Sequence, residues 1–195
     1  GLGAIMATRI NWANQLTVAR FWMAGIMLVC LSLETSWAAL VAFVLFAVAS
    51  ITDALDGWLA RRIYGCSTFG KLMDPLADKV LTAAAFVALV EKGSMAAWMV
   101  ALILTRELMV TGLRLLLSEA QIVLAADQWG KWKTVIQMVV IMLLLGGLVW
   151  PEIGLPAPQS SLASLLGYIT VFFTLLSGIT YFYRYRSYVS MDSDS

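Results

Sequence analysis

The chain has 195 residues, of which 61% are hydrophobic and 13% charged, and its formal net charge is +1. Soluble proteins average about 45–50% apolar and about 25% charged residues. A soluble domain of this size keeps too much of its volume near water to hide so much apolar surface. The composition therefore excludes a disordered chain and an ordinary soluble fold, and it favours one membrane domain over residues 1–195. Residues 1–5 precede the first methionine and are interpreted as a cloning remnant.

The reactive side chains exclude several classes of enzyme mechanism and of binding site. The sequence contains no histidine, which excludes Ser-His, Cys-His and His-metal mechanisms and leaves carboxylates as the candidate acids and bases. Cys30 and Cys66 are far apart and match no metal-binding spacing, so both are predicted to be free thiols. Nucleic-acid binding is not expected, because no basic face stands clear of the apolar segments.

The apolar segments predict an all-α, polytopic membrane fold. Residues 10–15 are predicted to form a short interfacial helix, and six apolar stretches long enough to cross a bilayer follow it. These stretches are 16–33, 37–59, 74–90, 95–117, 134–150 and 163–185. Because they do not alternate with period two, and only helices or closed barrels satisfy the backbone in lipid, we expect six transmembrane helices. Polar and turn-forming residues place the connections at 34–36, 65–67, 92–94, 127–130 and 151–161.

Basic residues indicate the orientation. With six crossings, both termini and two loops share one side, and nearly all the lysines and arginines fall there. The opposite loops hold one basic residue, Lys92. The positive-inside rule then places both termini on the cytoplasmic side of the membrane.

Four aspartates lie in or beside apolar segments: Asp53, Asp56, Asp74 and Asp78. A carboxylate at the centre of a membrane helix costs about 2.5–3.5 kcal/mol on insertion scales. The two pairs are spaced by three and four residues, which puts each pair on one face of a helix. Two such faces would form an oxygen cage for divalent cations. The alternative is a set of interfacial charges paired with nearby arginine and lysine side chains.

The surrounding residues resemble a known family. The run from Asp53 to Asp78 reads D-x2-D-G-x2-A-R-x8-G-x3-D-x3-D, which matches all eight fixed positions of the CDP-alcohol phosphatidyltransferase signature. The resemblance implies a six-helix membrane enzyme, usually a homodimer, that transfers a phosphatidyl group from a CDP-linked lipid to an alcohol and releases CMP. It also implies that Asp53, Asp56, Asp74 and Asp78 bind two Mg2+ or Mn2+ ions, with Asp78 as the base. The nucleotide and diphosphate pocket would be formed by Asp56, Gly57, Ala60, Arg61 and Gly70.

The acceptor alcohol is predicted from basic residues outside this signature. Arg106, Arg114, Lys131 and Lys133 together suggest a cationic pocket for a phosphorylated acceptor. The alternatives are a buried ion pair between Arg106 and Glu107, and simple positive-inside anchoring for the other three. The segments around these residues are similar to those of phosphatidylglycerophosphate synthases, which implies that CDP-diacylglycerol and glycerol 3-phosphate are the substrates.

The N-terminal stretch extends the resemblance. Asn14, Thr17 and Arg20 are similar to the opening pattern of the same enzymes, although Ala13 replaces a proline. Thr17 and Arg20 share a helical face and are assigned to the edge of the site, with anchoring of the helix start as the alternative.

Three other functions compete with this hypothesis. A sister enzyme would use inositol phosphate, serine or another alcohol as the acceptor. A divalent-cation transporter would use the aspartates as a transit site, but it would need access from both faces, whereas these aspartates are predicted near the cytoplasmic ends. A purely structural scaffold is the third alternative, and it gives the paired carboxylates no role.

Overall fold

A computed structural model describes residues 18–63, 68–119 and 128–190, with side chains for residues 18–52, 79–118 and 128–186. These ranges contain six α-helices, one 3-10 helix and no β-strand. The helices are α1 (Val18–Ser32), α2 (Ser36–Ile63), α3 (Thr68–Glu91), α4 (Ala97–Glu119), α5 (Gln128–Val149) and α6 (Ser161–Ser190), and the 3-10 helix is Pro151–Ile153. The predicted all-α class is therefore confirmed. The predicted interfacial helix at 10–15 lies outside the described residues.

The connections fall close to where polar residues interrupt the apolar runs. Breaks occur at 33–35, 92–96 and 150–160, in agreement with three of the predicted connections. The prediction at 127–130 was wrong for residues 128–130, which form the first turn of α5. A helix can continue past the end of its apolar run, because its backbone bonds are satisfied internally whether lipid or water surrounds the side chains. The predicted connection at 65–67 lies outside the described residues.

Helix α5 is the central packing element. It contacts α2, α3 and α6, while α4 packs against α3 and α6. Its buried face includes Ile141, Leu144 and Leu145, which share one core with large side chains from the other helices, such as Phe46 and Phe86. On α2, small buried residues recur at three- and four-residue spacing around Phe46, namely Ala38, Ala42 and Ala49. Small residues at this spacing allow helix backbones to approach closely, as in membrane bundles.

Two connections meet at one end of the bundle. The backbone N–H of Gln159 donates a hydrogen bond of 3.0 Å to the carbonyl of Gly93, which joins the α5–α6 connection to the α3–α4 turn. Gly93 has φ of +72°, a conformation that side chains disfavour. At the same end, Gly147 lies so close to the α5–α6 connection that a Cβ there would be 2.1 Å from the carbonyl oxygen of Pro156. This end is therefore fixed by backbone contacts.

Length and composition identify two helices among the described residues as able to cross a membrane. They are Gln128–Val149, which is α5, and Ser161–Arg186 within α6. Helix α4 is long enough but carries Arg106, Glu107 and Arg114 along its length. The 22 residues of α5 extend roughly 33 Å at about 1.5 Å per residue, which is enough to span the hydrocarbon core.

Candidate functional site

The signature residues occupy two helices that contact each other. Asp53 and Asp56 lie in the C-terminal half of α2, and Asp74 and Asp78 lie in the N-terminal half of α3. Their backbone is helical, so each pair is separated by about one turn. The side chains of all four aspartates, and those predicted to line the nucleotide pocket, lie outside the described side chains, as does Thr17.

A cluster of charged side chains surrounds Glu107 on α4. Glu107 Oε2 accepts a hydrogen bond of 2.8 Å from Lys79 Nζ on α3. Glu107 Oε1 accepts one of 3.1 Å from Arg106 Nη1 and another from Lys133 Nζ on α5. The predicted alternative of an Arg106–Glu107 ion pair is therefore present, but it is only one part of a larger arrangement that ties three helices together. We refer to Lys79, Arg106, Glu107 and Lys133 as the Glu107 cluster.

The Glu107 cluster is buried and carries excess positive charge. The side chains of Lys133, Arg106 and Glu107 are 8%, 9% and 12% exposed, and that of Lys79 is 29% exposed. Among the described side chains, three cations surround one carboxylate, so these four groups sum to a formal charge of +2. Charge interactions are strong where water is scarce, so such an excess favours the binding of an anion.

Helix α6 adds neutral hydrogen-bond partners to the cluster. Arg106 Nη2 donates a hydrogen bond of 2.6 Å to Ser177 Oγ. Ser177 Oγ in turn donates to the carbonyl of Thr174 at 3.1 Å. The amide nitrogen of Gln137 on α5 donates to Thr174 Oγ1 at 3.0 Å. Because these groups are buried, each bond also avoids the cost of an unsatisfied polar atom.

The sequence of α6 explains why it can approach α4 and α5 so closely. Its buried face carries small or hydroxyl-bearing residues at three- and four-residue spacing: Ala163, Gly167, Thr170, Thr174 and Ser177. These residues lie along one side of the helix. Several bulky side chains of α6, such as Phe172 and Ile179, are exposed on the other sides.

A small cavity opens beside the Glu107 cluster. Its volume is about 150 Å³. Its polar lining comes from Lys79, Thr82, Glu107 and Gln137, and the rest is apolar, including Phe86, Ile103 and Leu104. Most ligand pockets exceed about 300 Å³, so this space is too small for a whole lipid.

The other predicted basic residues are placed differently. Arg114 is exposed, and its guanidinium carbon lies 6.0 Å from the ring centroid of Tyr181 on α6. Lys131 is exposed and is the fourth residue of α5. Neither forms an ion pair with Glu107 in the described structure, whereas Arg106 and Lys133 both do. Arg20 is buried on α1.

Two contributors were missed in the sequence. Lys79 was considered as a cytoplasmic charge and as one of the basic residues beside the aspartates, but not as a partner of Glu107. Ser177 was not singled out, because hydroxyl residues in apolar helices commonly bond to their own backbone. The recurrence of small residues along α6 was the signal that could have found it.

Comparisons with known proteins agree with the signature. The sequence profile of the CDP-alcohol phosphatidyltransferase family matches residues 10–176. The chain is 38% identical over 185 residues to the CDP-diacylglycerol–glycerol-3-phosphate 3-phosphatidyltransferase of Bacillus subtilis (strain 168), with 88% of this chain and 93% of that protein covered. It is 30% identical over 183 residues to the protein of the same name from Rickettsia typhi, with 91% and 98% covered.

Both comparisons extend over most of the sequence. The part of the chain that matches the family profile contains the four aspartates on α2 and α3 and also Arg106 and Lys133. The relatives align along nearly their whole length. The chain belongs to the CDP-alcohol phosphatidyltransferase family.

Proposed function

We propose that this protein transfers the phosphatidyl group from CDP-diacylglycerol to glycerol 3-phosphate, giving phosphatidylglycerol phosphate and CMP. The observation that carries the choice of a phosphorylated acceptor is the Glu107 cluster, whose four side chains sum to a formal charge of +2. A positive charge at this position favours a phosphorylated acceptor over a neutral one such as inositol. The names of the relatives from Bacillus subtilis and Rickettsia typhi agree with this choice.

The donor side of the reaction is assigned to the aspartate signature. Asp53, Asp56, Asp74 and Asp78 offer carboxylate oxygens, which are the donors that Mg2+ and Mn2+ prefer, from two helices in contact. The donor set thus fits the two divalent ions expected of the family. When bound, such ions supply electrostatic stabilisation of the diphosphate during displacement. Gly57, Ala60 and Gly70 would leave room for the nucleotide, and Arg61 would offer its planar donors to a phosphate.

The proposed reaction is a direct displacement at phosphorus. The carboxylate of Asp78 accepts the proton of the acceptor hydroxyl, and the oxygen forms a bond to the β-phosphorus of CDP-diacylglycerol. The bond between the β-phosphorus and the bridging oxygen breaks, and CMP leaves with that electron pair. With no histidine in the chain, a carboxylate is the suitable general base.

The acceptor side is assigned to the cationic residues. Arg106 and Lys133 would hold the phosphate of glycerol 3-phosphate, with Arg114 and Lys131 providing charge nearer the surface and Thr17 and Arg20 bordering the site. A fixed phosphate would leave the glycerol hydroxyl positioned for attack, which lowers the entropic part of the barrier.

We place the enzyme in the bacterial inner membrane as a homodimer. All six helices would cross the bilayer as a single domain, with both termini and the active site on the cytoplasmic side. The contact between the 92–96 and 150–160 connections supports this arrangement, because the sequence assigns both to the opposite side.

The test is CMP release by the purified protein. We expect release from CDP-diacylglycerol to require both glycerol 3-phosphate and Mg2+ or Mn2+. Inositol phosphate, inositol and serine serve as competing acceptors in parallel reactions. Equal or faster release with one of these would overturn the proposed acceptor, and metal flux into proteoliposomes without CMP release would favour a transporter.

A variant tests the proposed base. Asp78→Asn should lower the rate of CMP release by at least about a hundredfold, the lower end of the usual contribution of general-base catalysis. Binding of CDP-diacylglycerol should remain largely intact. Retained turnover would refute this role for Asp78.

A further inference from the structure

We infer that Ser177, together with the space left by Gly178, orients the guanidinium of Arg106 for the acceptor phosphate. Both are positioning residues, since they act through Arg106. This inference rests on the proposed function. It concerns residues beyond position 176, where the match to the family profile ends.

The guanidinium of Arg106 is fixed at two of its nitrogen atoms by two different helices. Nη1 donates to Glu107 on α4 at 3.1 Å, and Nη2 donates to Ser177 on α6 at 2.6 Å. Because the group is planar, two such bonds define the orientation of the guanidinium plane. Arg106 is 9% exposed, so water offers little competition for these bonds.

Ser177 is suited to hold Arg106 without neutralising it. Its hydroxyl has one proton, which it donates to the carbonyl of Thr174 at 3.1 Å. Its oxygen can therefore only accept from Arg106. An aspartate at this position would cancel part of the +2 charge of the Glu107 cluster, whereas a serine preserves that charge for an anion.

Gly178 leaves the path that the Arg106 side chain follows. A Cβ at position 178 would lie 2.9 Å from Arg106 Cγ and 3.4 Å from Nε. Cγ lies near the root of the side chain, so relief of this contact would have to shift the whole arginine. Ser177 and Gly178 therefore act on the same side chain, one by a bond and the other by the absence of a side chain.

Steady-state kinetics of purified variants test the inference. For Ser177→Ala and Gly178→Ala, we expect KM for glycerol 3-phosphate to rise about tenfold, as for the loss of one hydrogen bond to a charged group. KM for CDP-diacylglycerol should change less than about twofold. Misplacement of Arg106 would weaken the binding of glycerol 3-phosphate alone, whereas a general loosening of the bundle would weaken the binding of both substrates. Ser177→Thr keeps the hydroxyl and should restore most of the affinity.

A matched control separates this effect from the cost of an added methyl group. Gly112 lies on the same helix as Arg106, and a Cβ there would meet nothing within 4 Å. Gly112→Ala should therefore show the KM values of the unaltered protein. Should Ser177→Ala and Gly178→Ala behave like Gly112→Ala, the inference is overturned.

A double-mutant cycle tests whether Ser177 acts through Arg106. In an Arg106→Lys background, Ser177→Ala should raise KM for glycerol 3-phosphate less than twofold, because the bond it removes is already altered. If Arg106→Lys turns over too slowly, the same cycle is measured as stabilisation of the protein against heat by glycerol 3-phosphate. Additive effects would overturn the inference. An unaltered protein that releases no CMP would instead overturn the proposed function on which it rests.

Discussion

Replacing Glu107 by glutamine should destabilise the protein far more than the loss of a neutral hydrogen bond would. Glu107 Oε2 accepts from Lys79, while Oε1 accepts from Arg106 and Lys133. A glutamine amide has one oxygen and one NH2 group, so either orientation turns an N–H donor toward a cation. The substitution also raises the formal charge of the buried cluster from +2 to +3.

The expected magnitude separates two explanations. Removing one partner of a buried ion pair typically costs about 3–5 kcal/mol, whereas hydrogen bonds between membrane helices average about 0.6 kcal/mol. The partners Lys133 and Arg106 are 8% and 9% exposed at their side chains, so we expect the larger value. For a chain of this size that corresponds to a fall in melting temperature of about 6–20 °C.

Thermal unfolding of the purified protein in detergent, followed by tryptophan fluorescence, measures this change. Glu152→Gln makes the same chemical change at an exposed position in the 3-10 helix and should leave the melting temperature within about 1 °C. Adding Lys133→Met to Glu107→Gln should recover part of the loss, because it removes an uncompensated buried cation. If the two variants Glu107→Gln and Glu152→Gln have the same melting temperature, the charges of the cluster do not stabilise the protein and the reasoning is refuted.

Three further changes have defined outcomes. Gly147→Ala should cost about 1–3 kcal/mol by overpacking, because its Cβ would lie 2.1 Å from the carbonyl oxygen of Pro156, whereas Gly25→Ala meets nothing within 4 Å and should unfold like the unaltered protein. Lys133→Ala should raise KM for glycerol 3-phosphate at least tenfold more than Lys131→Ala, since only Lys133 is buried in the cluster; equal effects would contradict the assignment. Chelation with EDTA should abolish CMP release and added Mg2+ or Mn2+ should restore it, and undiminished release in EDTA would exclude the proposed ions.

The six α-helices of the described ranges could be predicted from the sequence, because polar, turn-forming residues separate the apolar runs. Their ends could not be placed as well. The apolar run of the fifth crossing begins at residue 134, yet α5 begins at Gln128 and includes Trp129 and Lys131. Apolar length is set by the thickness of lipid, whereas helix length is set by backbone hydrogen bonding, which continues through polar residues.

In the candidate site, too, some residues could be predicted from local sequence patterns and others could not. The aspartate signature was visible because its residues are close along the chain and follow helical spacing. An acidic partner for Arg106 was also visible, since Glu107 is its neighbour in sequence. The convergence of Lys79 and Lys133 on that carboxylate depends on the rotation of α3 and α5 about their axes, which no local pattern specifies. Ser177 depends in addition on how closely α6 approaches α4.

Helix α6 carries different residue types on the side that packs against other helices and on its exposed side. The hydroxyl and glycine side faces the other helices, while Leu165, Phe172, Ile179 and Tyr183 are exposed. If lipid surrounds the exposed side, those four positions can be altered to suit bilayers of other thickness or acyl composition without disturbing Arg106. Substitutions on the exposed side of α6 would thus adapt the protein to a different lipid composition, while its selectivity for the acceptor substrate stays unchanged.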